Sequence, residues 1–247
     1  MTTVDIVLPV LNEERDLPGS VHCLRAFCLE EMDPRYSCRI VVADNGSTDH
    51  TLDIAKRLSD DFPKEVAWLH LSIPGRGRAI RKAFLESPAD ILVYMDVDLS
   101  TDLVALPTLV DAIASGEYPI ATGSRLMKGS RIENRPLKRE VISRAYNLLI
   151  KAFFLTHFSD AQCGFKGMSR EAAQKILPHT KDLGWFLDSE ILIIAEKNGY
   201  YIKDIPVHWV DDPDTRVKIV PTAWGDLKGL IRLRVLGLSR ASKALGS

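Results

Sequence analysis

Residues 91–100 read ILVYMDVDLS, an apolar run that ends in two carboxylates separated by a single residue. A continuous apolar run of this length predicts a buried strand. Asp96 and Asp98 would then emerge at the carboxyl end of that strand, where open α/β sheets bind their ligands. Two hard oxygen ligands on alternate residues suit a divalent ion that also contacts nucleotide phosphates. Acidic pairs are also common in ordinary turns, so the rest of the chain must discriminate between a metal site and a solvated strand end.

The composition narrows the class of protein. The chain has 247 residues, with 32 basic and 33 acidic side chains, so its length allows a large core and its net charge gives no general basis for binding nucleic acid. The four cysteines lack the close spacing of a zinc site and are few for a disulfide scaffold, so we expect reduced thiols. No apolar run approaches the roughly 20 residues that cross a bilayer, and the amino terminus lacks the basic lead of a signal peptide. We therefore expect a cytoplasmic protein whose contact with a membrane, if it has one, is peripheral.

Strand-like and helix-like patterns alternate along the chain. Strands are predicted at 4–9, 39–43, 66–71, 91–96, 119–123 and 201–207, a mixed segment at 162–168, and helices at 13–31, 48–58, 76–85, 139–155, 188–198 and 222–243. Ser47 or Thr48 is the expected N-cap of the second helix. The βαβ progression predicts a mostly parallel α/β sheet flanked by helices. We predict one domain over residues 1–221 and an amphipathic C-terminal helical extension over residues 222–247.

Polar or glycine-rich loops follow the first four predicted strands. They are PVLNE at 9–13, DNGSTD at 44–49, PGRGR at 74–78 and DVD at 96–98. Each loop alone is typical of turn chemistry, but four of them at one edge of a sheet indicate a ligand site. Asp44 can face a base because Gly46 lets the chain turn sharply, and Arg76 or Arg78 can supply charge to a phosphate. Neither a Walker loop nor a dinucleotide fingerprint is present.

Three segments carry a resemblance to a known family. VLPVLNEE at 7–14, ADNGSTD at 43–49 and MDVD at 95–98 together resemble the family 2 glycosyltransferases, which have the Rossmann-like GT-A fold. Later segments extend it towards the polyprenyl-phosphate (dolichyl-phosphate type) sugar synthases: GSR at 123–125, DAQCGFK at 160–166 and WFLDSE at 185–190. The segment VHWVDD at 207–212 favours the glucosyl branch over the mannosyl branch.

The resemblance implies roles for the residues at matching positions. The residues implied to surround the nucleotide sugar are Pro9, Asn12, Glu13, Asp44 at the base, Arg76, Asp96 and Asp98. Asp96 and Asp98 would hold Mg²⁺ or Mn²⁺ against the diphosphate. Arg76 keeps the charge of the family's Gly-Lys-Gly loop but changes its hydrogen-bond geometry. Ser100 stands where family members often carry glutamine or another polar group.

The chemistry of the acceptor decides which further residues matter. In an inverting transfer the metal stabilises the leaving nucleoside diphosphate while an acceptor oxygen attacks from the opposite face. A lipid monophosphate is already anionic, so it requires cations that position it, for which Arg125 and Arg139 are the candidates, with Ser143 as a hydroxyl donor. An alcohol acceptor would instead require a carboxylate base, for which Asp188 or Glu190 is the candidate.

Two features favour a membrane surface. Residues 123–151 contain eight basic and two acidic side chains. Such a run is often a solvated surface, but each cation near an anionic membrane contributes roughly 1 kcal/mol. A helix beginning near Thr222 has an apolar arc that includes Trp224, Leu227, Leu230, Ile231 and Leu238, with Lys228, Arg232, Arg240 and Lys243 on the other side. That pattern fits an interfacial helix or a helix packed on the core.

The sequence thus predicts metal-dependent transfer of a hexose to a polyprenyl phosphate at the cytoplasmic face of a membrane, with glucose from UDP-glucose as the preferred donor. Three alternatives stay open: mannosyl transfer from GDP-mannose, a soluble transferase with a hydroxyl acceptor, and a non-catalytic nucleotide-sugar-binding subunit. The expected partners are the nucleotide sugar, the polyprenyl phosphate and the membrane surface, with no nucleic acid. A membrane-protein partner and a homo-oligomer are both left open.

Overall fold

A computed structural model gives the structure of this protein and describes residues 1–211, 219–238, 241 and 245. The described residues form nine strands: β1 (Thr2–Val10), β2 (Tyr36–Asp44), β3 (Val66–His70), β4 (Ile91–Met95), β5 (Ile120–Ser124), β6 (Arg131–Glu133), β7 (Phe165–Ser169), β8 (Ile202–Pro206) and β9 (His208–Val210). Seven of them form one sheet in the order β3-β2-β1-β4-β7-β5-β8. Strand β7 runs antiparallel to both of its neighbours, and the other pairs in this sheet are parallel. Strands β6 and β9 form a separate parallel pair.

Helices cover both faces of the main sheet. They are α1 (Leu17–Glu30), α2 (Thr51–Asp61), α3 (Arg76–Glu86), α4 (Ala105–Ala114), α5 (Leu137–Phe154), α6 (Arg170–Ile176), α7 (Leu187–Lys197) and α8 (Ile219–Arg232), with a 3₁₀ turn at Leu177–His179 and a π-helical turn at Leu233–Gly237. One core cluster joins α1, α2 and α4 to the sheet, and the other joins α3, α5, α6, α7 and α8 to the opposite face. The predicted α/β architecture with a mostly parallel sheet is confirmed.

The alternation along β4 determines where its acidic end points. Val93 and Met95 belong to the core on the α1 and α4 side, whereas Leu92 and Tyr94 belong to the core on the α3 and α7 side. Successive side chains of a strand point to opposite faces. Asp96 therefore continues the row of Tyr94, towards α3 and α7.

Helix α2 begins later than the sequence predicts. Its N-cap is His50, with no side-chain cap, so the expectation of Ser47 or Thr48 is wrong. The reason is that both residues contact the loop after β1: the Asn12 amide donates to Ser47 Oγ at 2.9 Å, and the Thr48 amide donates to Asn12 Oδ1 at 2.8 Å. Together with the Glu13 and Glu14 amides, which donate to Thr51 and Asp49, these contacts hold residues 12–14 outside helix α1, which begins at Leu17 rather than at residue 13.

Helix α8 packs on the core through part of its predicted apolar arc. Leu230 of that arc is buried, and Gly229 lies so close to Phe186 that an added Cβ would overlap the ring. Leu233, the first residue of the π-helical turn and not part of the predicted arc, is also buried. Trp224 and Ile231, from the same predicted arc, are exposed. Arg240 and Lys243 of the predicted polar side, and Asp212 of the VHWVDD segment, lie outside the described residues. Among the described helices, none combines the length and the apolar character needed to cross a bilayer.

Candidate active site

The loops after β1 and β2 form one bonded unit at the carboxyl edge of the sheet. Asn12 has a φ of 57°. Its backbone amide donates to Ser47 Oγ, and its side-chain Oδ1 accepts from the Thr48 amide. The Glu13 amide donates to Thr51 Oγ1 at 2.8 Å. Pro9 is half-buried in β1 just before this loop. The structure therefore places the predicted nucleotide-binding residues of these two loops side by side.

Asp44 lies at the floor of this edge and is fully buried. Its Oδ2 lies 2.6 Å from His70 Nδ1, and its Oδ1 accepts a hydrogen bond from the Ser47 amide at 3.3 Å. Asp44 and His70 are opposite each other in the β2–β3 register. Sequence reasoning missed His70; its position at the end of the neighbouring strand is the signal that could have identified it. A carboxylate has about four acceptor positions, and these two contacts use two of them.

A buried network joins α3, β4 and α7. Arg76 Nη1 lies 3.2 and 3.1 Å from the two carboxylate oxygens of Asp188, and Arg76 Nη2 lies 2.8 Å from Asp96 Oδ1. The Tyr94 hydroxyl donates to Asp188 Oδ1 at 2.5 Å. The guanidinium also lies 5.0 Å from the centroid of the exposed Trp185 ring. Arg76 therefore connects the first acidic residue of the DVD segment to the candidate base.

The carboxylates of this network stabilise the charge of Arg76. Burial by itself would lower the pKa of Arg76, but the carboxylates of Asp188 and Asp96 reverse this and raise it. Burial, followed by the charge of Asp188, raises the pKa of Tyr94 well above its ordinary value. Tyr94 is thus a protonated donor to Asp188. The Asp188 carboxylate accepts from two buried donors, whereas an effective general base needs a lone pair directed at substrate.

The carboxylate pair is accessible. The Asp96 side chain is 30% exposed and Asp98 is exposed. The Asp98 Oδ1 also accepts from the Ser100 amide at 3.0 Å. Gly164 lies against Asp96, and an added Cβ there would overlap its carboxylate. This close approach explains the glycine in the DAQCGFK segment and leaves room for the carboxylate to bind a ligand.

These donors fit a divalent ion that is shared with a diphosphate. No group of three or more His, Cys, Asp or Glu residues in the described part of the chain could hold a metal by itself. Asp96 and Asp98 supply two hard oxygen ligands, and Mg²⁺-type ions are commonly bound by one or two carboxylates together with substrate phosphates. The remaining coordination positions would be taken by phosphate oxygens and water.

The predicted acceptor residues lie around two further carboxylates. Arg125 binds buried Asp160 through Nε at 2.7 Å and Nη2 at 3.0 Å, and its guanidinium stacks 4.9 Å from the Trp209 centroid. Burial by itself would raise the pKa of Asp160, but Arg125 lowers it to about 2. Arg139 Nη1 lies 3.3 Å from Asp211 Oδ1.

Ser143 is buried on α5, one turn after Arg139. Its carbonyl oxygen accepts a hydrogen bond from Asn147 Nδ2 at 2.9 Å. Glu190, the second candidate base, is used structurally: its Oε2 accepts from the Lys181 and Asp182 amides at 2.9 and 2.8 Å. Its Oε1 accepts from Arg232 of α8 at 2.9 Å.

Helix α8 also contributes a residue that sequence reasoning missed. Asp226 is 3% exposed and accepts a hydrogen bond from Gln162 Nε2 at 2.8 Å. Burial and the charges of Asp182 and Asp188 raise the pKa of Asp226 to about 7. The backbone amide of Gln162 donates to Asp160 Oδ1 at 3.0 Å. Gln162 therefore connects Asp226 of α8 to Asp160, the residue that holds Arg125.

Comparison with known protein families identifies the family of this chain. The model of glycosyl transferase family 2 matches residues 5–177, which is more than half of the chain and includes the DVD segment, Arg76 and Asp160. The chain belongs to glycosyl transferase family 2. This result confirms the resemblance drawn from the sequence.

Relatives within family 2 include two curated proteins. Glycosyltransferase AglD of Haloferax volcanii is 40% identical over 217 residues, which cover 88% of this chain but 34% of AglD. The dolichyl-phosphate beta-glucosyltransferase of Saccharomyces cerevisiae is 26% identical over 262 residues, which cover 97% of this chain and 77% of the yeast protein. The chain thus spans about a third of the length of the archaeal relative.

A solved structure of similar fold is glucosyl-3-phosphoglycerate synthase of Mycobacterium tuberculosis in complex with Mn²⁺, UDP-glucose and phosphoglyceric acid. It matches with a TM-score of 0.70 and 18% identity, covering 94% of this chain and 79% of the synthase. The likeness confirms the GT-A fold expected for a family 2 member.

Proposed function

We propose that this chain catalyses metal-dependent, inverting transfer of glucose from UDP-glucose to a polyprenyl phosphate of the dolichyl type. The observation that carries the proposal is that the Asp188 carboxylate already accepts hydrogen bonds from Arg76 and Tyr94. The candidate phosphate-binding residues Arg125 and Arg139 are held by Asp160 and Asp211. A phosphate acceptor needs cations that position it and no strong base, whereas an alcohol acceptor needs a carboxylate base. The name of the yeast relative supports the same donor sugar and acceptor.

The donor half is proposed to lie over the loops after β1, β2 and β4. Asp44 accepts from the base, with Pro9, Asn12 and Glu13 around the nucleoside. Arg76, whose Nη2 lies 2.8 Å from Asp96 Oδ1, would supply positive charge to the diphosphate. The complex of the mycobacterial synthase with Mn²⁺ and UDP-glucose supports this donor and Mn²⁺, and Mg²⁺ would suit the same oxygen ligands.

Asp96 and Asp98 would hold the divalent ion. When bound, the ion supplies Lewis-acid stabilisation of the charge that develops on the leaving diphosphate. The protein holds the carboxylate of Asp96 in place through Arg76 and the close approach of Gly164. Asp188 keeps Arg76 oriented, which makes it a positioning residue in this proposal.

The acceptor half is proposed to lie near Arg125, Arg139 and Ser143. Its phosphate would be oriented by the guanidinium groups so that one anionic oxygen faces the anomeric carbon. Asp160 keeps Arg125 in one conformation through a bidentate pair. Such planar, two-point pairing fixes geometry as well as charge.

A membrane surface is the proposed location of the acceptor. Leu137, Val141 and Leu148 are exposed along one stripe of α5, within the basic run of residues 123–151. Trp224 and Ile231 are exposed on α8. Apolar side chains among basic ones are typical of peripheral binding to anionic lipid. We propose that these helices face the cytoplasmic leaflet.

Deleting the residues after Thr222 is expected from the sequence to weaken liposome binding more than donor binding. The structure shows that such a deletion would also remove Leu230 and Leu233 from the core and Asp226 from Gln162. Substitution of exposed side chains on α8 is therefore the cleaner test.

Radiolabelled UDP-glucose and, separately, GDP-mannose would be incubated with polyprenyl phosphate in detergent with Mn²⁺ or Mg²⁺, and the product extracted into organic solvent. We expect metal-dependent organic-phase counts from UDP-glucose, lost in Asp98→Asn and retained in Asp60→Asn, a matched change on the exposed surface of α2. Counts from GDP-mannose alone would replace the donor assignment. Transfer to sugar hydroxyls only, or UDP-glucose binding with no transfer to any acceptor, would overturn the proposal in favour of a soluble transferase or a binding subunit.

A further inference from the structure

Arg135 is an arginine whose side chain is largely covered and whose charge is poorly matched by its surroundings. It lies between β6 and α5, and its side chain is 8% exposed. Within the part of the chain that the structure describes, its Nε and Nη1 atoms make no hydrogen bond. Buried polar groups without partners are rare in folded proteins, and each one calls for a physical explanation. Sequence reasoning counted Arg135 only as one cation of the basic run.

The carboxylates nearest to Arg135 lie beyond hydrogen-bonding geometry. Glu140 Oε2 is 3.4 Å and Asp211 Oδ2 is 3.9 Å from Arg135 Nε. Both of these oxygens likewise make no hydrogen bond among the described residues. The other oxygen of Glu140 accepts from Arg144 at 2.6 Å. An additional anion could therefore bind Arg135 without breaking a hydrogen bond of its guanidinium.

The neighbouring arginines, Arg125 and Arg139, lie closer to their carboxylate partners than Arg135 does. Arg125 donates from Nε, from Nη2 and from its backbone amide to Asp160. Arg139 lies 3.3 Å from Asp211 Oδ1, an oxygen that also accepts from Trp209 Nε1 at 2.9 Å. Arg125 acts electrostatically on both Arg135 and Asp211. Arg125, Arg135 and Arg139 therefore form one cationic cluster, in which Arg135 retains the most donor capacity for a further anion.

Two further features suit an anion at this place. Burial, and then the positive charge of Arg125, lower the pKa of Arg135, as expected for a guanidinium that is short of negative charge. Helix α5 begins immediately after Pro136 and has no side-chain cap at its N-terminus. An uncapped N-terminus of an 18-residue helix adds positive potential and amide donors on the same side.

We propose that Arg135 is a third binding residue for the acceptor's phosphate, contacting its non-ester oxygens beside Arg125 and Arg139. This inference rests on the proposed function, because it assigns the cluster to the acceptor rather than to the donor diphosphate. A phosphate monoester presents several anionic oxygens, and the planar fork of arginine can bind two of them at once. Arg125, held by Asp160, then orients the phosphate, and Arg135 supplies the donors that are not already used.

The test compares Arg135→Gln with Arg131→Gln, a matched change at an exposed arginine of β6. Initial rates would be measured against polyprenyl phosphate and against UDP-glucose, with farnesyl phosphate and farnesol as binding probes in calorimetry. For Arg135→Gln we expect the acceptor KM and the farnesyl phosphate Kd to rise at least tenfold, with the UDP-glucose Kd within twofold of wild type. The acceptor KM and farnesyl phosphate Kd of Arg135→Lys should lie between those of wild type and Arg135→Gln, because lysine keeps the charge and loses the planar fork of arginine. Farnesol binding should be unchanged.

Thermal unfolding separates binding from a structural role. Because the Nε and Nη1 atoms of Arg135 make no hydrogen bond among the described residues, Arg135→Gln should leave the melting temperature equal or higher. A lower melting temperature with unchanged farnesyl phosphate binding would overturn the inference. Weaker UDP-glucose binding with unchanged acceptor binding would overturn it in favour of the donor diphosphate. If the wild-type protein transfers glucose to polyprenyl phosphate and Arg135→Gln has the same acceptor KM as Arg131→Gln, the inference is overturned and the proposed function stands. If the wild-type protein transfers no sugar but Arg135→Gln binds farnesyl phosphate more weakly than wild type does, the phosphate site is supported and the proposed function is overturned.

Discussion

Breaking the ion pair between Arg76 and Asp188 tests the network on which the proposed donor site depends. The two side chains are 9% and 5% exposed, and Arg76 Nη1 lies 3.1 Å from Asp188 Oδ2. Removing one partner of a buried pair costs about 3–5 kcal/mol, because the other charge stays buried without compensation. Asp188→Asn should fall near about 3 kcal/mol, the lower end of that range, since Asp96 still binds Arg76 and asparagine can still accept from Tyr94. Arg76→Met should cost at least as much.

The double variant distinguishes a coupled pair from two independent losses. With both charges removed, the penalty for the remaining charge disappears, so the summed costs of the single variants should exceed the cost of the double variant by about 1–3 kcal/mol. Urea unfolding followed by circular dichroism would supply the four free energies. The exposed pair Lys82 and Glu86 on the same helix is the control, with an expected coupling of about 0.3–0.5 kcal/mol. Additive costs at Arg76 and Asp188 would refute the reasoning.

The same variant bears on the role of Asp188 in the reaction. If Asp188 positions Arg76, Asp188→Asn should weaken UDP-glucose binding and transfer together and leave the shape of the pH–rate profile unchanged. A general base would instead give a loss of turnover at unchanged donor affinity and would remove a limb of the profile. Full turnover in Asp188→Asn would exclude both roles.

Three more predictions concern pH, packing and the membrane. The pKa of Asp160 is about 2 in the folded protein and about 4 in the unfolded chain, so the ionised carboxylate stabilises the fold above pH 4 and this stabilisation is lost as pH falls towards 2. The free energy of unfolding should change by about 2 kcal/mol over this range. Urea unfolding of Asp160→Asn at acid pH should lack this change. Gly164→Ala should reduce metal-dependent UDP-glucose binding at least tenfold, since the new methyl overlaps the Asp96 carboxylate, while Gly19→Ala, which faces open space, should not; equal titration curves would contradict this. Trp224→Gln should reduce sedimentation with anionic liposomes and leave UDP-glucose binding unchanged, and undiminished sedimentation would remove this side chain from the membrane face.

Much of the fold could be predicted because its signals are local. Apolar runs such as residues 91–95 bounded by polar turns indicate strands, and their alternation with helical spacing indicates a parallel sheet. The carboxyl ends of parallel strands share one edge, so Asp44 and Asp96 could be assigned to one site before any contact was known. The errors fall at the ends of elements: α1 and α2 begin three to four residues late, because Asn12 and its partners use that stretch for loop-to-loop hydrogen bonds.

Strand β7 shows why the site itself was less predictable. The segment 162–168 has no clear period, and its antiparallel insertion between β4 and β5 depends on pairing with distant strands. That insertion brings Gly164 against Asp96 and Gln162 against Asp226, contacts between residues 68 and 64 positions apart in the chain. No local pattern encodes such pairs.

The amino-acid sequence by itself determined the class of fold, the edge of the sheet proposed to carry function, and the residue types available there, because periodicity and turn chemistry act over a few neighbouring residues. Only the tertiary structure decided how those charges are paired: Asp44 with His70 and Asp188 with Arg76. The Nε and Nη1 atoms of Arg135 make no hydrogen bond among the described residues. It also decided that α8 packs on the core through Leu230 while Trp224 stays exposed. The physical reason is that the energy of an ion pair or an apolar contact depends on distance and burial, and both are properties of the folded chain.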